Sequence, residues 1–260
     1  MILIINLFDK YKFQIIEICL IFLCQTTKGL KMKKIVLLGL CLIINVTYGS
    51  TPTESKINIE NVYVPQGYDS NDNVEIVVEG YLPNLCHKSP KVKVDKISNK
   101  INLTLTSLYY TNDNYFCPPA VVPFLITVDL GVLNTGEYLI ENNNHQKKLN
   151  VAKAISENVD NFIYANIEYL EKNYQEQSVV KLKGYNVSDC FELDRVELST
   201  NKSDTVIILP IMKQVREFCP RKMTPFEYEV EVPKMVGRKK VLLHVRTMNG
   251  KSVNKLLVNH

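Results

Sequence analysis

The sequence predicts an all-β chain: two tandem β-sandwich domains, each closed by its own disulfide, behind an N-terminal signal sequence. Three observations carry that prediction. One stretch occurs twice with the same order and spacing: Phe116-Cys117-Pro118, four residues, Pro123-Phe124, and later Phe218-Cys219-Pro220, four residues, Pro225-Phe226. Each copy follows a second shared signature, Gly80-Tyr81 with Cys86 and Gly184-Tyr185 with Cys190, so the repeat spans much of two modules. Around these landmarks apolar and polar residues alternate in short runs, the period-two pattern of half-buried strands.

A chain of 260 residues allows one large domain or two of about 100 residues, and the repeat decides for two. With 46% hydrophobic and 22% charged residues it has the material for packed cores. The net charge of +4 belongs entirely to residues 1–49, where six lysines face Asp9 and Glu17; the remainder is balanced. A broad positive field for nucleic acid or an anionic membrane is therefore not indicated. Membrane contact is expected only through the leader, if that is left uncleaved.

Within the leader, the apolar run from Ile15 to Cys24 is short for a span, which needs about 20 residues, and Glu17 interrupts it. Met32-Lys33-Lys34 followed by Ile35 to Val46 has the charged start and apolar middle of a secretory signal, and Thr47-Tyr48-Gly49 supplies small residues for cleavage after Gly49. Residues 32–49 are thus read as the signal peptide and 1–31 as an extension of the gene model. A signal-anchor is the alternative; a lipoprotein site at Cys41 is disfavoured because Leu40 precedes it. The destination is the periplasm or the extracellular space. Residues 50–55 read as a mobile segment.

The first domain, 56–153, contains seven strand-like runs: Ile57–Val64, Val74–Tyr81, Lys91–Lys96, Ile101–Leu108, Phe124–Leu130, Glu137–Glu141 and Lys147–Ala152. The second, 154–260, repeats the series at Val179–Tyr185, Leu193–Ser199, Thr205–Met212, Phe226–Val232, Lys239–Thr247 and Ser252–Val258. Asn249-Gly250 predicts a type I′ hairpin turn, since both residues tolerate positive φ; its counterpart is the longer Asn142 to His145. Val159, Ile163, Ile167 and Leu170 have helical spacing, but the repeat register favours a strand over Phe162–Tyr169. Seven strands in about 100 residues resemble an immunoglobulin-like sandwich. The cysteine positions and the lack of Trp depart from the antibody pattern.

Three cysteines lie in the leader; Cys86, Cys117, Cys190 and Cys219 lie beyond it, two per repeat. Four cysteines allow three pairings, and a duplicated domain carries its own bond, which favours 86–117 and 190–219 in an oxidising compartment. Redox exchange would want a Cys-x-x-Cys, and zinc would want clustered ligands, whereas the four histidines are scattered. No metal and no cofactor is expected. The prolines of the repeated motif read as a stapled crossover between sheets, with both phenylalanines of each copy inserted into the core.

Candidate contact residues follow from loop composition. The inserts differ, Pro119-Ala120-Val121-Val122 being apolar and Arg221-Lys222-Met223-Thr224 basic, as on a scaffold that varies its loops. Arg238, Lys239 and Lys240 form a second basic cluster, read as a solvated hairpin end or an anion or glycan contact. Tyr109, Tyr110 and Tyr115, with Asn112, Asp113 and Asn114, make a loop of paratope-like composition. No catalytic elbow, zinc helix or phosphate loop is present. The expectation is a non-enzymatic exported binding, adhesion or envelope-associated protein with an unknown protein or glycan ligand. The rivals are a secreted hydrolase, or enzyme-regulating subunit, with a site at the interdomain cleft, and a self-assembling envelope component.

Overall fold

The computed structural model describes residues 51–110, 116–142, 146–158, 160–172, 178–233 and 238–258. The leader, where a signal and a cleavage site are expected, lies outside the described residues. Residues 50–260 form one compact unit, built from four sheets and, among the described residues, no helix.

The first half contains β1 (Thr53–Lys56), β2 (Ile59–Tyr63), β3 (Tyr68–Asp69), β4 (Asn73–Leu82), β5 (His87–Ile97), β6 (Lys100–Tyr109), β7 (Val122–Val132), β8 (Gly136–Glu141) and β9 (Gln146–Ala152). β6 is flanked by β5 on one edge; its other edge is shared by β1, antiparallel along Thr106–Tyr109, and β8, parallel along Lys100–Asn102. β9 and β3 extend that first sheet, and β2-β4-β7 make the second. Their facing sides enclose one core, centred on Val62, Val74, Ile76, Val78, Ile101 and Leu149.

The second half contains β10 (Ile163–Tyr164), β11 (Ile167–Lys172), β12 (Val179–Asn186), β13 (Phe191–Thr200), β14 (Thr205–Gln214), β15 (Thr224–Glu231), β16 (Lys240–Thr247) and β17 (Lys251–Val258). The pairing scheme returns. β14 has β13 on one edge and shares the other between β10 and β16, β17 follows, and β11-β12-β15 form the facing sheet around a second core. Pro210 falls on β14 where β16 gives way to β10. Its carbonyl accepts from Ala165 N at 2.9 Å, and a strand residue's N–H and C=O point the same way, so the missing donor faces the gap between partners.

The two runs that begin the domains each split into strands of different sheets. Residues 53–63 supply β1 to the first sheet and β2 to the second, with Ile57 N donating to Leu105 O at 3.1 Å. Residues 163–172 do likewise as β10 and β11, so the strand reading prevails over the helical one. The segment expected to be mobile, 50–55, instead contributes β1, held by its ladder to β6 and by the Glu54–Lys93 ion pair at 2.6 Å. At the last hairpin Asn249 and Gly250 both have φ of 64°, as expected. Thr247 pairs with Lys251, leaving three residues between them. Of the first half's longer turn, 143–145 lie outside the described residues.

The halves are joined by a packed seam. Along β4, Val74, Ile76 and Val78 enter the first core, while Glu75, Val77 and Glu79, on the other face, are also buried. Along β16, Val241, Leu243 and Val245 enter the second core, while Leu242, His244 and Arg246 face the first half, meeting Val77 of β4, Tyr68 of β3 and Asp72 between those strands. Tyr63, Val77 and Leu242 form an apolar cluster with Leu125 and Leu256. β4 and β16 run in opposite senses: Lys240 meets Glu79 and Tyr81, whereas Gly250 meets Asn73. The end of β4 therefore lies beside the start of β16. β14 runs parallel to β16, with Ile208 beside Val245, and continues to Gln214 beyond Thr247. The chain leaving β4 and the chain leaving β14 thus emerge at opposite ends of the unit.

Candidate functional site

The repeated motif builds one stapled elbow at each of those ends. Cys86 bonds Cys117 and Cys190 bonds Cys219, with Cα atoms 5.5 Å apart in both. In each half the first cysteine lies where the chain leaves the three-stranded sheet, and the second where it returns to it. The staple ties the two crossovers together, and Tyr110 N donates to Cys86 O at 3.0 Å just as Val215 N donates to Cys190 O at 2.8 Å.

The shared Gly-Tyr and Pro-Phe signatures turn out to be partners across one ladder: Gly80 opposite Phe124 and Tyr81 opposite Pro123, Gly184 opposite Phe226 and Tyr185 opposite Pro225. A Cβ on Gly80 would lie 2.5 Å from Phe124 Cζ; on Gly184 it would lie 2.0 Å from the Asn166 carbonyl oxygen and 3.0 Å from Phe226 Cζ. Glycine leaves room for the ring, and in the second half for the strand switch at Asn166. The sequence alone shows these as two motifs, because a cross-strand pairing is not written in either.

Phe124 and Phe226 pack on their cores as expected. The other phenylalanine of each copy does not: Phe116 is 79% exposed and Phe218 83% exposed. Each directly precedes its stapled cysteine, between the strands that the staple joins, and among the described residues no strand covers it. Val121 joins Phe116 at the first elbow; Val215 and Met223 join Phe218 at the second. The inserts are exposed over 119–122 and 221–223, and their last residues already pair, Val122 with Leu82 and Thr224 with Asn186.

The tyrosine cluster is rearranged. Tyr109 ends β6, paired with both Thr53 and His87, and its ring lies 4.6 Å from the His87 ring. It belongs to the sheet rather than to a presented loop. Tyr110 is half-buried with Lys88 Nζ 5.8 Å from its ring centre; Tyr115 lies outside the described residues, as do 111–114. The basic cluster also divides. Arg238 and Lys239 are exposed, but Lys240 reaches across the seam to Glu79 and to Tyr81 Oη at 3.0 Å. Hydrogen bonds to Glu79 and Tyr81 raise its pKa above the usual lysine range. It is a tie between halves, not a solvated hairpin end.

The titratable groups most displaced from ordinary behaviour sit in this seam. The Arg246 guanidinium lies between the rings of Tyr68 and Tyr164, 5.4 Å from each, and is held by both carboxylate oxygens of Asp72, with Asp160 at 3.5 Å. His244 is 1% exposed; its Nε2 is 3.1 Å from Tyr68 Oη and its Nδ1 is 2.8 Å from Asn254 Oδ1. Burial lowers its pKa to about 4. Burial raises the pKa of Glu75, which accepts from Ser252 Oγ, and that of Asp160. Lys147 pairs with Asp204 at 2.6 Å at the margin. These groups satisfy one another's hydrogen bonds across the two halves and so provide cohesion. The signal that could have located the seam is β16 itself: Val241-Leu242-Leu243 breaks the polar–apolar alternation with a short unbroken apolar run, the pattern of a strand buried on both faces.

Among the described residues no group of three or more His, Cys, Asp or Glu is placed to hold a metal ion. Residues 76–151 match a family model described as the ORF11 beta-sandwich domain, spanning most of the first sandwich. Comparison with curated proteins and comparison with solved structures each find no match.

Proposed function

We propose that the chain is an exported, non-enzymatic binding or adhesion protein that makes its contacts through the two stapled elbows. The observation that carries this reading is the double exposure of Phe116 and Phe218, in the shared frame beside inserts that diverge. The repeat acts as its own comparison. Gly80 and Gly184 share a spatial reason, Phe124 and Phe226 a packing reason, and the cysteines a covalent one. The outer phenylalanines share none of these, and an exposed ring kept on a rigid elbow suits a contact surface. The two disulfides point to an oxidising, non-cytoplasmic environment; export through the 32–49 signal is the route proposed for reaching it. In the seam the acids and histidine are bonded to neighbouring side chains, which supports a binding reading over a hydrolytic one.

Photo-cross-linking in the producing cells tests the proposal. Probes at positions 116 and 223 should give discrete products of higher mass, while a probe at Glu229, on the charged outer face of β15 beside Lys181, should not. Equal yields at all three positions would refute it.

A further inference from the structure

The two elbows differ in the charge around the exposed ring. Residues 116–122 carry no charged side chain. At the second elbow Phe218 and Met223, 83% and 62% exposed, project among Arg216, Arg221 and Lys222. The loop's fold brings Arg216 and Lys222 to one carboxylate, with Arg221 exposed next to Lys222 in the chain. Val215 N donates to Cys190 O, Lys222 N donates to Val187 O at 3.2 Å, and Arg216 and Lys222 both approach Asp189, at 3.6 and 3.9 Å. Asp189 sits between Arg216 and Lys222, its Oδ1 buried but its side chain 33% exposed, so the elbow sets three cations against the carboxylates of Glu217 and Asp189.

From this arrangement we infer that the second elbow docks on an anionic lipid bilayer, with Phe218 and Met223 entering the headgroup boundary and Arg216, Arg221 and Lys222 meeting lipid phosphates. Apolar side chains supply insertion and flanking cations the attraction to acidic headgroups, and the staple holds the ring outward beforehand, so little ordering is needed on contact. The balanced charge of residues 50–260 hides this local excess. The inference deepens the binding reading and rests on it for compartment.

The test uses the full oxidised chain with vesicles of phosphatidylcholine alone or with about 30% phosphatidylserine, read by hydrogen exchange over residues 215–223, so that attachment through the leader does not mask the answer. Exchange there should slow on the acidic vesicles and not on neutral ones. Phe218→Ser should weaken the acidic-vesicle response about tenfold, and Arg221→Glu with Lys222→Glu should abolish it, whereas Phe116→Ser should leave it intact. Unchanged exchange on acidic vesicles, or a response indifferent to Phe218→Ser, overturns the inference. Heparin binding that replaces the vesicle response and survives Phe218→Ser overturns it in favour of a glycan. Protein cross-links from position 223 without any vesicle response overturn the bilayer as partner while leaving the binding reading standing.

Discussion

Acidification from pH 7 to pH 5 should cost the folded chain about 2 kcal/mol through His244 alone. The imidazole has a pKa of about 4 in the fold against 6.5 when free, because burial disfavours the charged ring and Arg246 adds a repelling cation. Between those values the unfolded chain binds the proton and the folded chain does not. The cost is therefore small at pH 7, grows as pH falls through 6.5, and reaches about 3 kcal/mol once pH is below both values. Glu75 and Asp160 work in the opposite sense. Their raised pKa values make the folded state the better proton acceptor, so acid relieves a burial penalty there. The His244 contribution is isolated by difference, using His244→Gln, which keeps hydrogen-bonding capacity and cannot charge. Urea unfolding followed by far-UV circular dichroism at pH 7, 6 and 5 should show the wild type losing its advantage over the variant by about 2 kcal/mol across that range. Parallel stability curves for the two proteins would refute the reasoning.

Asp72→Ala should destabilise the chain by about 3–5 kcal/mol, because it leaves Asp160, at 3.5 Å, as the remaining carboxylate beside the buried Arg246 among the described residues, and Asp72→Ala with Arg246→Met should recover much of that loss in the same urea assay. Gly184→Ala should cost more than Gly80→Ala, since its Cβ meets a backbone carbonyl whereas that of Gly80 meets a ring edge able to turn. Thermal melting that ranks them the other way would count against the cross-strand account. Replacing either cysteine pair by serine should cost about 3–4 kcal/mol, each closing a loop of 31 or 29 positions, and nearly equal losses are expected because each bond lies within its own sandwich.

Local pattern made the strands legible. The alternation over 179–185 and 226–232 locates β12 and β15 within a residue or two, and the repeat pairs the cysteines without coordinates. Three features escaped because they depend on what lies opposite. Ile57–Val64 reads as one strand, yet the chain changes sheets near Asn58 to serve two neighbours, a fact set by β6 and β4. Phe116 has the character of a core residue and lies outside, beside the stapled Cys117, where among the described residues no strand covers it. Tyr109 reads as part of a loop and Lys240 as the solvated start of a strand, and each is claimed by a partner distant in sequence, Thr53 in one case and Glu79 in the other. The proposed contact surface at the elbows was half visible: the divergent inserts could be read directly, the outward rings could not.

The opposite placement of the two elbows has a mechanical consequence. A molecule gripped at Phe116 and at Phe218 is loaded lengthwise, with the pull transmitted from β4 to β16 across the seam. Because these strands run alongside one another in opposite senses, the force slides the faces rather than prying them open. Val77 against Leu242, Asp72 against Arg246 and Glu79 against Lys240 must then yield together instead of one after another. The same seam would part far more easily under a sideways pull, so the fold is suited to carry tension along the line joining its two elbows.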